Sequence, residues 1–258
     1  MGSAASSTLP AFLELAGHPV RWGILTELAH SDRQVGELTA ALGAPQNLVS
    51  YHLAKLKAGG LVSSHRSSYD ARAAYYRVHL DRCRAMLEST GALLKPGSNL
   101  VRPSRRSGWR RQPTVLFACT GNGTRSQIAE ALLRHLSGGS VDVVSAGSHP
   151  KPIHPNAIAV LAERGVDISA ATAKSIDLFA LRRFDIVVTL CDRVREVCPP
   201  LANEDATLHW SIDDPSRLPG TGRSTLPAFR AVADDLASRI QDLLPVLAAT
   251  THKEHHHG

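Results

Sequence analysis

Four cysteines in 258 residues, at positions 83, 119, 191 and 198, are too few and too unevenly placed to make a disulfide scaffold. Such usage suits a reducing cytosol, where disulfides are mostly transient and catalytic. No apolar run approaches the roughly 20 residues that a membrane-crossing helix needs. Residues 1–8, Met-Gly-Ser-Ala-Ala-Ser-Ser-Thr, have neither the basic region nor the apolar stretch of a secretion signal. The expectation is a cytoplasmic protein without membrane contact. Carboxylates are missing from one stretch: residues 96–113 hold five arginines and no acid. The net charge of +6 is therefore uneven, with basic character in the first half and the joint. That distribution points to nucleic acid there and ordinary enzyme chemistry beyond, although five arginines alone fit a solvated linker equally well.

The length holds two domains, each able to bury a core. Residues 96–112 are rich in Pro, Gly, Ser and Arg without apolar period and read as a linker. They separate a first domain, 1–95, from a second, 113–250, and a His-containing tail, 251–258, to which no function is assigned. In the first domain Trp22, Leu25 and Leu28 mark a helix over 19–30, and Val35, Leu38 and Leu42 a second, ended by Gly43. Pro45 opens a third that Gly59-Gly60 stops. Two β-like runs, 61–66 and 74–78, flank a polar turn, and a last helix covers 81–94.

This order, with "ELTAALGAPQNLVSYHLAKLKAGGLV" and a hairpin ending "YYRV", resembles the winged helix-turn-helix of the ArsR/SmtB repressor family across about residues 9–95. The resemblance implies a recognition helix in the major groove of double-stranded operator DNA. Gln46, Asn47, Ser50, Tyr51 and His52 are the exposed candidates for base edges, with Lys55 on phosphate and Arg66 and Arg72 carrying the wing to the backbone or minor groove. It also implies a homodimer formed through the first and last helices. The sensory thiols of the family's arsenic sensors are missing: Gln34–Thr39 holds no Cys-x-Cys, and Cys83 is the domain's one thiol. Between Asp81 and Glu88 there is no histidine for a zinc site of the family's kind. How a signal enters this half does not follow from the sequence.

In the second domain strands are expected at 114–118, 141–146, 186–190 and 207–210, and helices at 125–136, 155–163 and 226–247. Runs such as Val-Leu-Phe-Ala and Ile-Val-Val-Thr-Leu suit strands buried on both faces, so the fold class is a doubly wound α/β parallel sheet. After the first strand comes Cys119-Thr120-Gly121-Asn122-Gly123-Thr124-Arg125-Ser126. Glycines at 121 and 123 are expected to take the unusual dihedrals that turn N–H groups inward, at a helix N-terminus where anions are favoured. Cys119 is the nucleophile and Arg125 the planar fork for two oxygens of a tetrahedral oxyanion, with Thr120 to Thr124 and Ser126 lining the cradle. The target is phosphate, arsenate or a similar species.

The motif resembles the low-molecular-weight phosphotyrosine phosphatase superfamily. By that resemblance Asp214, in Asp213-Asp214-Pro215, is the acid that protonates the leaving oxygen. "VVTLCDRVREVCPP" resembles the thioredoxin-coupled arsenate reductases across about residues 113–248. It implies a relay from Cys119 to Cys191 to Cys198, with no bound cofactor and thioredoxin as external reductant. A helix from Cys191 to Cys198 would hold the two Cα atoms about 10 Å apart along its axis. A disulfide needs roughly 4.4–6.8 Å, so that segment must be a loop or must unwind. Asn122, Glu130 and Ser145 match positions of a potassium site in some of these reductases, with Lys174 where an aspartate would complete it. A lysine there implies potassium independence. The setting is arsenic resistance and its regulation. Two alternatives stay open: a protein tyrosine phosphatase fused to a regulator, and a transcription factor whose second domain only senses oxyanion.

Overall fold

Three separate sets of buried apolar side chains organise the chain, one in its first half and two on opposite faces of a sheet in its second. The computed structural model describes residues 9–94, 111–197, 206–220 and 222–250. Most of the expected linker, Cys198 and the His-containing tail lie outside the described residues. The chain divides into two compact units, Met1–Ser104 and Arg105–Gly258.

The first unit runs α1 (Ala11–Ala16), α2 (Pro19–His30), β1 (Arg33–Gln34), α3 (Val35–Leu42), α4 (Gln46–Ala58), β2 (Val62–Arg66), β3 (Ala74–Val78) and α5 (Leu80–Leu94). Ile24 and Leu28 of α2, Leu38 of α3, and Val49, Leu53 and Leu56 of α4 are buried together, the last three at the spacing of one helix face. Gly43 takes a left-handed φ of 57° after α3, which lets the chain turn into Pro45 and α4. β2 and β3 pair antiparallel from Val62↔Val78 to Arg66↔Ala74, and β1 adds a short third strand beside β3. This is a winged helix-turn-helix. Two elements, α1 and β1, were not expected; six and two residues are too short to show a period.

The second unit runs β4 (Thr114–Cys119), α6 (Arg125–Leu136), β5 (Asp142–Gly147), α7 (Pro155–Ala162), β6 (Ile186–Thr189), α8 (Asp192–Val197), β7 (Thr207–His209) and α9 (Leu226–Thr250). All four strands are parallel, in the order β5-β4-β6-β7. Alternation along β4 sends Val115 and Phe117 to one core with Ile128 of α6 and Phe229 and Ile240 of α9. Leu116 turns to the other face, with Ala146, Val187 and the partly buried Phe179 and Phe184. Burial on both faces explains the unbroken apolar runs. Because β5 and β6 lie on opposite sides of β4, the sheet reverses direction at β4, and a crevice opens beyond its carboxyl end. Cys119 is the last residue of that strand.

Candidate active site and nucleic-acid interface

The loop from Cys119 to Arg125 is held from outside by the segment that follows β5. Ser148 N–H donates to Cys119 O (3.3 Å), His149 N–H to Thr120 O, Lys151 N–H to Gly121 O and His154 N–H to Gly123 O (2.8 Å each). A trans peptide plane points its N–H opposite to its carbonyl. Four carbonyls fixed outward therefore aim the N–H groups of Thr120, Gly121, Asn122 and Thr124 to the concave side. Asn122 N–H, 3.2 Å from Cys119 Sγ, bears this out. The left-handed residue is not one of the glycines, as the sequence had led us to expect, but Asn122, with φ of 45°. Gly123 is needed for another reason: a Cβ there would lie 2.7 Å from Pro152 O. At Gly147, the end of β5, a Cβ would lie 2.8 Å from both Asn122 N and Thr120 O. The segment 148–154 and Gly147 carry no motif, and only close approach in space shows their part.

Asn122 is fully buried and joins both sides of the loop. Its Nδ2 donates to Ser126 Oγ (2.9 Å) and Ser145 Oγ (2.7 Å), while Oδ1 accepts from Gln127 Nε2 (3.0 Å) and Lys174 N (2.7 Å). Since Ser126 Oγ already accepts from Asn122, its hydrogen is free for Cys119 Sγ at 3.0 Å. The Asn122 N–H and the Ser126 hydroxyl thus both stand within donating distance of the sulfur. Ser145 Oγ donates to Glu130 Oε2 (2.6 Å), and Lys174 Nζ donates to the same oxygen at 3.1 Å. Arg134 Nη2 holds Glu130 Oε1 at 2.7 Å. The Lys174 ammonium thus stands on the carboxylate that the sequence resemblance associates with potassium.

Arg125, the first residue of α6, is buried. Its Nη1 donates to Ile212 O (2.9 Å) and reaches Leu190 O (3.5 Å), and its Nη2 donates to Asp214 Oδ2 (2.9 Å). Asp214 caps a short turn at Pro215–Arg217, its Oδ1 accepting from Ser216 N and Ser216 Oγ. Burial pushes the Asp214 carboxyl up, but Arg125, the two Ser216 hydrogen bonds and Arg217 outweigh it and hold it below the usual range. Its neighbour Asp213 is exposed.

Cys191 lies just beyond β6 and is buried, its Sγ 3.3 Å from Thr120 Oγ1. Burial pushes its thiol up and Cys119 adds to this, against the opposing pull of Arg125, Thr120 and the Val194 N–H. The structure therefore brings Cys119, Arg125, Cys191 and Asp214 to one crevice, with Thr120, Gly121, Asn122, Gly123, Thr124 and Ser126 around the first thiol. Cys198 lies outside the described residues; up to Val197 the intervening segment is helix α8.

In the first unit Gln46, Asn47, Ser50, Tyr51 and Lys55 lie exposed along α4, and Arg66 and Arg72 at the wing. Lys55 Nζ stands 5.7 Å over the Tyr51 ring. His52 does not belong with them. It is 4% exposed and shares the inward face of α4 with Val49, Leu53 and Leu56, where its ring packs 4.2 Å from that of His18. One residue's rotation from Tyr51, about 100°, takes it from the exposed face of the helix to the core. Leu13 of α1 and Leu87 of α5 are exposed, and these two helices pack together.

Residues 114–255 match the family described as low molecular weight phosphotyrosine protein phosphatase, and residues 18–64 match the bacterial regulatory protein, arsR family. Among similar proteins, an arsenate reductase of Halalkalibacterium halodurans is 39% identical over 127 residues, 49% of this chain and 91% of that one. An arsenate reductase of Bacillus subtilis strain 168 is 37% identical over 128 residues, 50% of this chain and 92% of its own. A solved arsenate reductase in a phosphate-binding state superposes with a TM-score of 0.46 at 30% identity, over 53% of this chain and 99% of that one. The chain belongs to the low molecular weight phosphotyrosine protein phosphatase family, fused behind an arsR-family regulatory segment.

Proposed function

We propose that the second unit reduces arsenate to arsenite through three thiols, and that the first unit binds operator DNA as a regulator of arsenic resistance. The observation that carries the chemistry is the second thiol beside the first: Cys191 Sγ lies 3.3 Å from the hydroxyl of Thr120, the residue after Cys119, and both Cys119 and Arg125 act on it. Hydrolysis of a phosphate ester needs one thiol at this place; reduction needs a second within reach of the first. Arsenate enters the N–H cradle and draws the Arg125 fork onto its oxygens. Asp214, losing its cationic partner and facing a dianion, takes up a proton. Cys119 attacks arsenic, forming an S–As bond, and the departing hydroxide leaves as water with the proton of Asp214. The Cys191 thiolate then attacks Cys119 Sγ. The S–As bond breaks with its electron pair going to arsenic, so As(V) becomes As(III), arsenite departs, and a 119–191 disulfide remains. Cys198 attacks Cys191, Cys119 leaves as thiolate, and an external dithiol such as thioredoxin reduces the 191–198 disulfide.

That last exchange cannot proceed across an intact helix, so the six residues of α8 unwind before Cys198 reaches Cys191. No bound cofactor takes part. Lys174 on Glu130 supports operation without potassium. In the first unit, Leu13 and Leu87 offer an apolar face for a homodimer on a near-palindromic site, and Gln46, Asn47, Ser50, Tyr51, Lys55, Arg66 and Arg72 meet DNA. The test is NADPH consumption by the full chain with arsenate, thioredoxin and thioredoxin reductase. Wild type turns over and Cys198→Ser does not; equal rates would overturn the role of the third thiol, and aryl phosphate hydrolysis without any arsenite would favour the phosphatase reading instead.

A further inference from the structure

A cluster of buried polar side chains lies immediately behind the second thiol, and the chemistry above does not use it. Asp192, next in sequence to Cys191 and the first residue of α8, is 2% exposed. Its Oδ1 accepts from Ser211 Oγ and lies 3.2 Å from His209 Nε2. His209, 1% exposed, presents Nδ1 on its other side to Thr189 Oγ1 (2.8 Å) and to Thr189 O (3.2 Å). Thr189 is the last residue of β6. One imidazole therefore touches the residue two before Cys191 and the residue one after it, and so brackets the thiol along the chain.

Ladder pairing does not require this. Thr189 already pairs with His209 in the sheet, and Trp210 N–H donates to Thr189 O at 2.9 Å. The pairing of β6 with β7 stops at Thr189, and Cys191 lies two residues beyond, where the chain turns into α8. Burying a carboxylate, an imidazole and two hydroxyls costs stability unless each finds a partner, and apolar packing at the same place would avoid that cost. What the polar cluster supplies and apolar packing does not is a fixed direction. Ser211 extends the cluster toward Ile212, whose carbonyl holds Arg125, and Asp214 follows two residues on.

We infer that Asp192, with His209 and Ser211, is a positioning clasp for Cys191: it fixes the aim of the second thiol at Cys119 without touching the oxyanion. The inference rests on the reading of Cys191 as the thiol that discharges the Cys119 adduct. Removing the clasp leaves the first thiol and its cradle unchanged and slows only the formation of the 119–191 disulfide.

The experiment uses the full reduced chain in a single turnover with arsenate, without thioredoxin, and follows the 119–191 disulfide by mass spectrometry of a Cys198→Ser background. The rate of Cys119 carboxymethylation by iodoacetate serves as an independent readout of the cradle. Asp192→Ala is expected to form the disulfide at least tenfold more slowly with Cys119 alkylation within twofold of the parent. Asp192→Asn, which keeps a neutral acceptor for Ser211, is expected to recover most of the rate. Ser211→Ala removes one hydroxyl and almost no volume, and is expected to slow the same step about threefold; it decides the matter if Asp192→Ala does not fold. A parent-like disulfide rate in Asp192→Ala, or in Ser211→Ala where Asp192→Ala does not fold, overturns the clasp alone. A proportional loss of Cys119 alkylation also overturns it, since the effect would then be general. A parent chain that forms no disulfide with arsenate overturns the reductase reading and the clasp with it.

Discussion

Replacing Asn122 by alanine tests whether one amide holds the oxyanion loop together. The side chain makes four hydrogen bonds, to Ser126, Ser145, Gln127 and the Lys174 N–H, and is fully buried. At about 1 kcal/mol net for each buried bond, their loss costs roughly 4 kcal/mol. Alanine in the left-handed region that Asn122 occupies adds about 1 kcal/mol, which gives ~5 kcal/mol in all. Domains are stable by only about 5–15 kcal/mol, so the second unit would become marginal. For a unit of this size each kcal/mol lowers Tm by about 2–4 °C, and the expected drop is therefore roughly 10–20 °C. Calorimetry on the full chain, with near-ultraviolet dichroism of the buried Trp210 to assign the transition, measures it. Asn122→Gly separates the two contributions, because glycine accepts the φ of 45° and restores at most about 1 kcal/mol. A drop below about 4 °C in the alanine variant would refute the reasoning. It would mean that water replaces the amide at little cost and that the contacts from residues 148–154 hold the loop by themselves.

Three further outcomes are expected. Gly147→Ala drives a Cβ to within 2.8 Å of backbone at Thr120 and Asn122, so it should lower Cys119 alkylation and arsenate turnover at least tenfold, measured in parallel. The wild-type rate with arsenate should be the same in potassium and sodium, whereas Lys174→Asp should make it rise several-fold with potassium; a strong potassium effect on wild type would show that the ammonium does not replace the ion. In the first unit, burial chiefly, with His18 and Arg21, holds His52 below its ordinary value. Between that depressed value and the ordinary value of about 6.5 the unfolded chain binds more protons, so stability is full above pH ~6.5 and falls on acidification through this window. His52→Phe should flatten this part of the stability–pH curve; an unchanged slope would place the titration elsewhere.

What the sequence showed and what it hid divide along one physical line. Features carried by neighbours in the chain were legible. The apolar runs of β4 and β6 announced strands buried on both faces. Gly43 and Gly59-Gly60 announced helix ends, and Cys119 to Ser126 announced a cradle at a strand-to-helix turn. Asp214 was preferred to Asp213 for its proline, and it is Asp214 that meets Arg125. Features that depend on atoms brought together from distant positions left no local trace. Glycines were expected to supply the loop's unusual dihedral because glycine is the residue that takes it freely. Asparagine takes it instead, because its amide is held at both ends by groups 23 and 52 positions away. Gly123 is there for a carbonyl of Pro152 that only the fold brings near.

The same line explains the misplacement of His52. A polar residue on a recognition helix reads as a base contact until the helix is seated on α2, and the i, i+3 and i+4 positions then decide which residues face inward. His52 falls on the inward row and Tyr51 does not. Cys191 makes the converse case. Its spacing from Cys198 is visible in the sequence, but the hydroxyl it touches, that of Thr120, is 71 positions away. A motif names the candidate atoms of the chemistry; the residues packed around them, such as Asn122, Gly147 and Asp192, are chosen by the fold and become visible only with it.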